Sequence, residues 1–461
     1  MRWYLIALCL LMLAGCSDED RGGHDAADVD APETLEECGD FQEGTNLHVC
    51  TATYLGASEG AAVAADIDAQ GRQWVGGNFE EAPVALQEWG SGQAMILQLN
   101  PTGGELLGGH RLDGDLVDMA LDTGTDAMAV ATDGAVGLID QDELLWEHAV
   151  DGVGRVDIDG SRVVALIGDE VRLLDEGGAT SFKHDIERSA VRDVAIDAAT
   201  ERVFVTGYDQ VSGDLQQPFL LAYDFDGERA WTGWDWSSDE AGDLSSDTRG
   251  AAVSMGLDGY LYYVGESHGG VTTHFRMPDD IDEEAPLVRR DAYSESHNWN
   301  GAAPLGFVAR LSPETGELKK GQLMAVRLSD GRGNAVSPRA IAADEDGTMI
   351  LSGDSACCIE DWEERRVADQ AVMPDYGGGA WAMVLTPAFD ARPVWTTFGN
   401  PDASVDIADV ATRGGAMTVI QNQTAGSDHD AVRGQLVTHA ALQSTPPGAQ
   451  SSPHLTVFPA P

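Results

Sequence analysis

Three histidines, His268, His274 and His297, fall in one long segment that also carries Tyr293, Trp299 and a run of carboxylates from Asp279 to Glu284. Neutral imidazole is a common transition-metal ligand, but spacings of six and then twenty-three residues match no zinc pattern. Asp354, Trp362 and Tyr376 lie in a second segment of this kind, among Glu360 and Asp361, and Trp89 lies in a third. Rings beside carboxylates offer platforms and acceptors, chemistry suited to a glycan, a peptide or a cationic surface. The same rings can instead bury local apolar area and fold long loops into compact lids, and both readings stand.

Asp-x-Asp-Gly occurs at Asp157–Gly160, Asp224–Gly227 and Asp344–Gly347. A calcium loop needs a longer run of oxygen ligands and a distal bidentate Glu, whereas Asp-Gly is what tight hairpin turns require. These three are therefore expected to be turns, and calcium is better sought between the acidic segments. Cys38 and Cys50 are expected to pair across a short loop in an oxidising compartment. The adjacent Cys357 and Cys358 could form a vicinal disulfide, remain thiols, or bind a soft metal. The chain holds no Gly-x-Ser-x-Gly elbow, phosphate loop, zinc-protease helix or Cys/His signature. No catalytic residue is assigned on this basis.

What must position these residues is a set of short strands, because no long segment sustains helical periodicity. An apolar strand, an Asp/Gly turn and a strand ending in small residues recur seven times: Val63–Gly77, Val117–Thr132, Val156–Gly168, Val194–Gly207, Ala251–Gly265, Ala340–Gly353 and Ile407–Gln421. A second hairpin follows each: Ala94–Leu106, Gly137–Trp146, Val171–Phe182, Phe219–Trp231, Phe307–Leu318, Trp381–Trp395 and an incomplete copy at Gly434–His439. Two hairpins make a four-stranded antiparallel blade, and seven blades closed radially make an all-β propeller with short, protected edges. A β-sandwich array is the alternative arrangement. The piece His48–Gly56 precedes the first repeat and is expected to supply the outer strand that the last blade lacks. Residues 38–441 then form the propeller, and the Pro-rich 442–461 reads as an irregular tail.

Turns within each hairpin are short, while insertions fall between strands two and three, at Asn78–Gly92, Tyr208–Gln217, Glu266–Leu305, Asp354–Gly379 and Asn422–Val432. In a propeller these connections leave on one face, together with the blade-to-blade crossovers. Trp89, His268, His274, His297, Trp299, Asp354, Trp362 and Tyr376 are thus expected to share a binding face, since rigid scaffolds carry function on their long loops.

Asp193–Gly207 resembles bacterial seven-bladed repeats that end in a Tyr-Val-Thr-Gly-like strand, and Gly137–Glu147 more weakly resembles quinoprotein-type repeats of outer-membrane assembly lipoproteins. The resemblance implies a fold and no chemistry. At the N-terminus, Arg2 precedes an apolar stretch from Trp3 to Ala14, too short to span a bilayer, and Leu13-Ala14-Gly15-Cys16 resembles the lipobox of bacterial lipoproteins. That resemblance implies removal of residues 1–15, lipid on Cys16, and an anchor in the cell envelope, with Ser17 favouring the outer membrane. The acidic stretch 16–37 is then a flexible tether.

Composition narrows the partners. With 78 Asp and Glu against 27 Lys and Arg, the formal charge of −51 excludes a nucleic-acid binder, which needs cations to displace counterions. The expected function is a lipid-anchored extracytoplasmic binding module for a protein or glycan ligand. The alternatives are a polysaccharide hydrolase or lyase using acidic loop residues, and an envelope assembly scaffold.

Overall fold

A computed structural model of the chain describes residues 33–42, 44–140, 143–291, 303–328, 331–361, 364–371, 378–398, 404–424, 437–438, 441–443 and 451–461. Its sheets include seven blades arranged as a β-propeller, each with four antiparallel strands. The inner strands are Gly60–Ile67, Leu116–Leu121, Val153–Asp159, Ala190–Asp197, Thr248–Met255, Val336–Ala343 and Ser404–Arg413. Blades are numbered 1 to 7 in this order.

A blade is covered on both faces by its neighbours, so its middle strands read as continuous apolar runs rather than as alternation. Val203, Phe204 and Val205 of blade 4 are all fully buried. Alternate residues face opposite ways, Val203 and Val205 packing towards one neighbour and Phe204 towards the other, which divides the core into layers between blades instead of one central mass. The ring axis is consequently left open. Outer strands dock aromatics onto the hairpin turn of the next blade. Trp231 of blade 4 packs against Gly316 and donates its indole N–H to the Pro313 carbonyl of blade 5 at 3.0 Å. Gly316 has φ +73°, and a Cβ there would lie 2.7 Å from the ring, so only glycine fits both the turn and the contact.

The last blade closes the ring. Ser404–Arg413 and Ala416–Thr424 continue into a third strand, Ser451–Pro459, whose other edge takes the N-terminal strand Thr51–Tyr54, with Thr51 opposite Val457. The outer strand therefore comes from the N-terminus as expected, but the third strand does not come from Gly434–His439. It comes from the 442–461 tail read as irregular, so the propeller runs past residue 441. Prolines misled that reading. Only His454–Val457 is paired on both sides, and Pro453 and Pro459 fall outside this stretch, where a missing N–H costs little. Thr438 lies instead along the far edge of Thr51–Tyr54, donating its N–H to the Ala52 carbonyl at 3.1 Å.

The described parts of the insertions turn to strand edges instead of standing over the loop face. In blade 1 Gln87–Glu88 folds outward and pairs in parallel with the outer strand Leu106–Arg111, and in blade 5 Leu287–Arg290 does the same against Leu318–Met324. The blade 6 insertion forms a hairpin, Arg366–Val367 and Gln370–Ala371, that pairs with Asn46–Leu47. Tyr208–Gln217 is mostly strand, because the two middle strands of blade 4 lengthen to Arg202–Ser212 and Leu215–Asp224. Unpaired edges invite pairing with other chains, and Gln87–Glu88 and Leu287–Arg290 cap two of them.

Candidate functional site

All seven inner strands carry a β-bulge at the same height, at Val63, Val117, Gly154, Arg192, Ala251, Arg339 and Ala408. A bulge re-aims the side chains beside it. Here it turns polar groups towards the axis, where the strands enclose a channel of about 640 Å³. Five carboxylates in its wall, Asp66, Asp118, Asp157, Asp193 and Asp409, each accept a backbone N–H from the next blade. The donors are Leu121, Val156, Ile196 and Val253, all at 2.9 Å, and Ala65 at 3.1 Å. The acceptors alternate in height around the ring. Asp409, Asp118 and Asp193 follow the bulge directly, whereas Asp66 and Asp157 sit two positions further along. Alternation keeps like charges of neighbouring blades apart, and Arg155 stands between Asp118 and Asp193 at the upper height, 3.7 Å from Asp193.

Burial in the wall raises all five carboxylates against the lowering effect of their N–H donors and, at the upper height, of Arg155. Asp66 is pushed up to about 6, and Asp193 and Asp409 to about 7. Asp118 and Asp157 are raised as well. These groups are occupied as interblade staples, because Asp66, Asp118 and Asp157 also accept the N–H of the following residue with their second oxygen. The junction of blades 6 and 7 uses a different staple, Asp344, which accepts from Gly414 at 3.0 Å and Gly415 at 2.8 Å. The channel wall of blades 5 and 6 carries small uncharged residues at the corresponding heights, Ala252, Ser254, Ala340 and Ala342.

The two mouths differ. On the turn side, Arg413 of blade 7 reaches past blade 1 to the Thr123 carbonyl of blade 2 at 2.8 Å and narrows the opening. On the loop side, blades 5 and 6 bring together Arg249, Glu266, His268, Arg339 and Asp354. Arg249 Nη1 is 3.2 Å from Glu266 Oε1, His268 Nε2 is 3.4 Å from the same oxygen, and Arg339 Nε is 3.4 Å from Asp354 Oδ2. Glu266 is 5% exposed, yet burial is outweighed by hydrogen bonds from His268 and Ser337 and by the Arg339 charge, which hold its carboxyl down to about 2. Arg192 and Arg249 flank the Tyr208 ring, each 5.4 Å from its centroid.

Of the expected face, His268 and Asp354 meet in this cluster. His274 does not: it is fully buried between Trp234, Tyr263 and Phe307, donating to or accepting from the Tyr263 hydroxyl at 2.9 Å, and burial drives its imidazole down to about 3. A neutral core histidine displays nothing to a ligand. Trp89 is half-buried on the outer edge of blade 1, stacked on His110 with centroids 4.4 Å apart, so it folds its own insertion down. His297, Trp299, Trp362, Tyr376 and Cys16 lie outside the described residues. The rim arginines and the staples Asp66, Asp118, Asp193 and Asp409 were not singled out from sequence, and Asp157 and Asp344 were read there only as turn residues. The signal was present, as Asp or Arg beside the first apolar residues of the inner strands, and was hidden among 78 acidic residues.

Asp224 and Asp344 behave as turn residues, Asp224 accepting the N–H groups of Asp226 and Glu228. The Asp157–Gly160 segment also closes a tight hairpin, with Asp159 opposite Arg162 and Gly160 at φ +59°, while Asp157 itself serves as a staple. Among the described residues no group of three or more His, Cys, Asp or Glu is set to hold a metal ion, and no helix is long and apolar enough to cross a membrane. Cys38 is bonded to Cys50, and Cys357 to Cys358.

No family model and no curated protein matches this chain. Among solved structures it is similar to Kuenenia stuttgartiensis hydrazine synthase, with TM-score 0.46 and 11% identity over 78% of this chain and 92% of that one. It is similar also to the Myceliophteria thermophila Cps50 β-propeller domain, with TM-score 0.46 and 7% identity over 89% and 99% of the two chains. The Neurospora crassa Pan2 WD40 domain gives TM-score 0.38 and 11% identity over 75% and 89%.

Proposed function

We propose that this protein is a lipid-anchored extracytoplasmic binding module that captures a protein or glycan ligand at the loop-side mouth of its propeller, without catalytic turnover. The observation that carries the reading is the asymmetry of the channel. One mouth is narrowed by Arg413, and the other presents half-open guanidinium, imidazole and carboxylate groups from two blades. Such a mixed rim offers directional hydrogen bonds to a polar ligand, and the channel beneath it favours a cationic group over an anionic one. The carboxylates of the wall are unsuited to a hydrolytic pair, because backbone N–H groups occupy them. Calcium remains a proposal for the acidic insertions alone, and the anchor rests on Leu13-Ala14-Gly15-Cys16.

The test is capture of envelope and extracellular material on the signal-free chain, with and without chelator, against an Arg339→Glu, His268→Ala variant. Ligand retained by the parent and lost by the variant supports the rim. A parent that retains nothing while cleaving members of a polysaccharide panel overturns the reading. Radioactive fatty-acid labelling that is equal in the parent and Cys16→Ala overturns the anchor.

A further inference from the structure

Cys357 and Cys358 close the shortest ring a chain permits, with a sequence separation of 1 against 12 for Cys38 and Cys50. A disulfide stabilises chiefly by removing loop entropy from the unfolded chain, an effect that grows with loop length. The vicinal pair closes no loop to speak of, so global stability does not account for it. What it restrains is local. Cys358 has φ +67°, in the left-handed region that few non-glycine residues occupy. The next residue, Ile359, is 2% exposed in the layer between blades 5 and 6. From this root the insertion runs to the hairpin that holds the N-terminal segment, with Arg366 N–H on the Thr45 carbonyl at 2.8 Å and Ala368 N–H on the Leu47 carbonyl at 2.9 Å.

The two sulfurs are not equivalent. The Asn334 side-chain oxygen accepts the Ala335 N–H at 2.9 Å, which leaves Nδ2 to donate towards Cys357 Sγ at 3.2 Å. A donor so placed stabilises negative charge on that sulfur and makes Cys357 the better leaving group. Both cysteines are half-buried at a loop root, so either sulfur can be reached, whereas in the other disulfide Cys38 is half-buried but Cys50 is 5% exposed.

We propose that Cys357–Cys358 is a thiol–disulfide exchange site for a dithiol reductant, and that its redox state sets how firmly the blade 6 insertion holds the N-terminal segment. A thiolate of the dithiol attacks Cys358 Sγ, forming a mixed disulfide and releasing Cys357 as thiolate, which takes up a proton. The second thiolate of the dithiol then attacks its own sulfur in the mixed disulfide and releases Cys358. Two electrons pass from the dithiol, which leaves as a disulfide, to the protein, which leaves as two thiols. Reduction frees Cys358 to return to ordinary backbone angles, which displaces Ile359 and loosens the hairpin. The proposal is independent of what the rim binds.

The experiment is a dithiothreitol titration of the full native chain, quenched by alkylation and mapped by peptide mass. Cys357 and Cys358 are expected to alkylate at about tenfold less reductant than Cys38 and Cys50. With glutathione, a monothiol, the trapped mixed disulfide is expected on Cys358, and Asn334→Ala is expected to slow its formation several-fold, roughly. Amide hydrogen exchange at 366–368 and 45–47 should quicken on reduction while the inner strands keep their rates. Reduction of all four cysteines together only on unfolding, a mixed disulfide on Cys357, or unchanged exchange at 366–368 in the reduced chain would each overturn the proposal. The double variant Cys357→Ser, Cys358→Ser should show the faster exchange without reductant.

Discussion

His274 and His268 lie six positions apart and end in opposite circumstances. His268 stays half-exposed beside Glu266 and Arg249, while His274 is sealed among aromatic rings and kept neutral. Nothing in the residue types separates them, because what differs is the packing of strands distant in sequence. His274→Ala should therefore cost about 3 kcal/mol in urea denaturation, through the cavity and the orphaned Tyr263 hydroxyl, and leave rim binding unchanged. The channel carboxylates set the pH dependence. Their folded pKa values lie above the unfolded value, so the folded state binds more protons between about pH 4 and 7, and stability is highest below the unfolded pKa and falls as pH rises through the folded values. Glu266 has the opposite sign, its contribution being present above the unfolded pKa and lost as pH falls towards about 2. Thermal melts from pH 5 to 8 should show a decreasing midpoint, and Asp193→Asn with Asp409→Asn should flatten that slope.

At the level of elements, the inner strands do two jobs. Their apolar residues fill the layers between blades, and the bulge turns a short acid to the next blade's backbone. Asp118→Ala removes one acceptor and leaves the Val156 N–H unpaired in the wall, a loss of about 2 kcal/mol in urea denaturation. Ala340→Leu, in the wall that lacks staples, is expected to perturb stability less and to narrow the channel; a larger loss than for Asp118→Ala would contradict the division of roles. Repeats, turn positions and strand order were legible because apolar runs and Asp-Gly turns are local properties. The course of the insertions was not. A polar, aromatic segment looks the same whether it roofs a face or folds outward, and the outcome depends on the outer edge, which offers Gln87–Glu88 and Leu287–Arg290 backbone partners.

For the molecule as a whole, stability depends on closing the ring with segments from both ends. Deleting Ser451–Pro461 removes the strand that joins Ala416–Thr424 to Thr51–Tyr54, so the truncated chain should lose cooperative unfolding by far-ultraviolet circular dichroism and chemical denaturation. Replacing Cys38 and Cys50 by Ser acts on the same closure more mildly. A separation of 12 residues corresponds to about 3 kcal/mol of loop entropy, which should appear as a lower urea midpoint with the ring intact.

Sequence alone was enough for the seven repeats, the N-terminal closing strand, the turn role of Asp224 and Asp344 and the Cys38–Cys50 pair, since each follows from spacing within a few residues or from the count of strands, whereas it left the state of Cys357 and Cys358 open. Tertiary structure decided which of the acids are staples, which histidine faces solvent, where the third strand of blade 7 lies and which mouth of the channel is open. Those outcomes depend on contacts between blades, where a backbone N–H or an aromatic ring far away in the chain determines whether a charged group is buried, paired or free to meet a ligand.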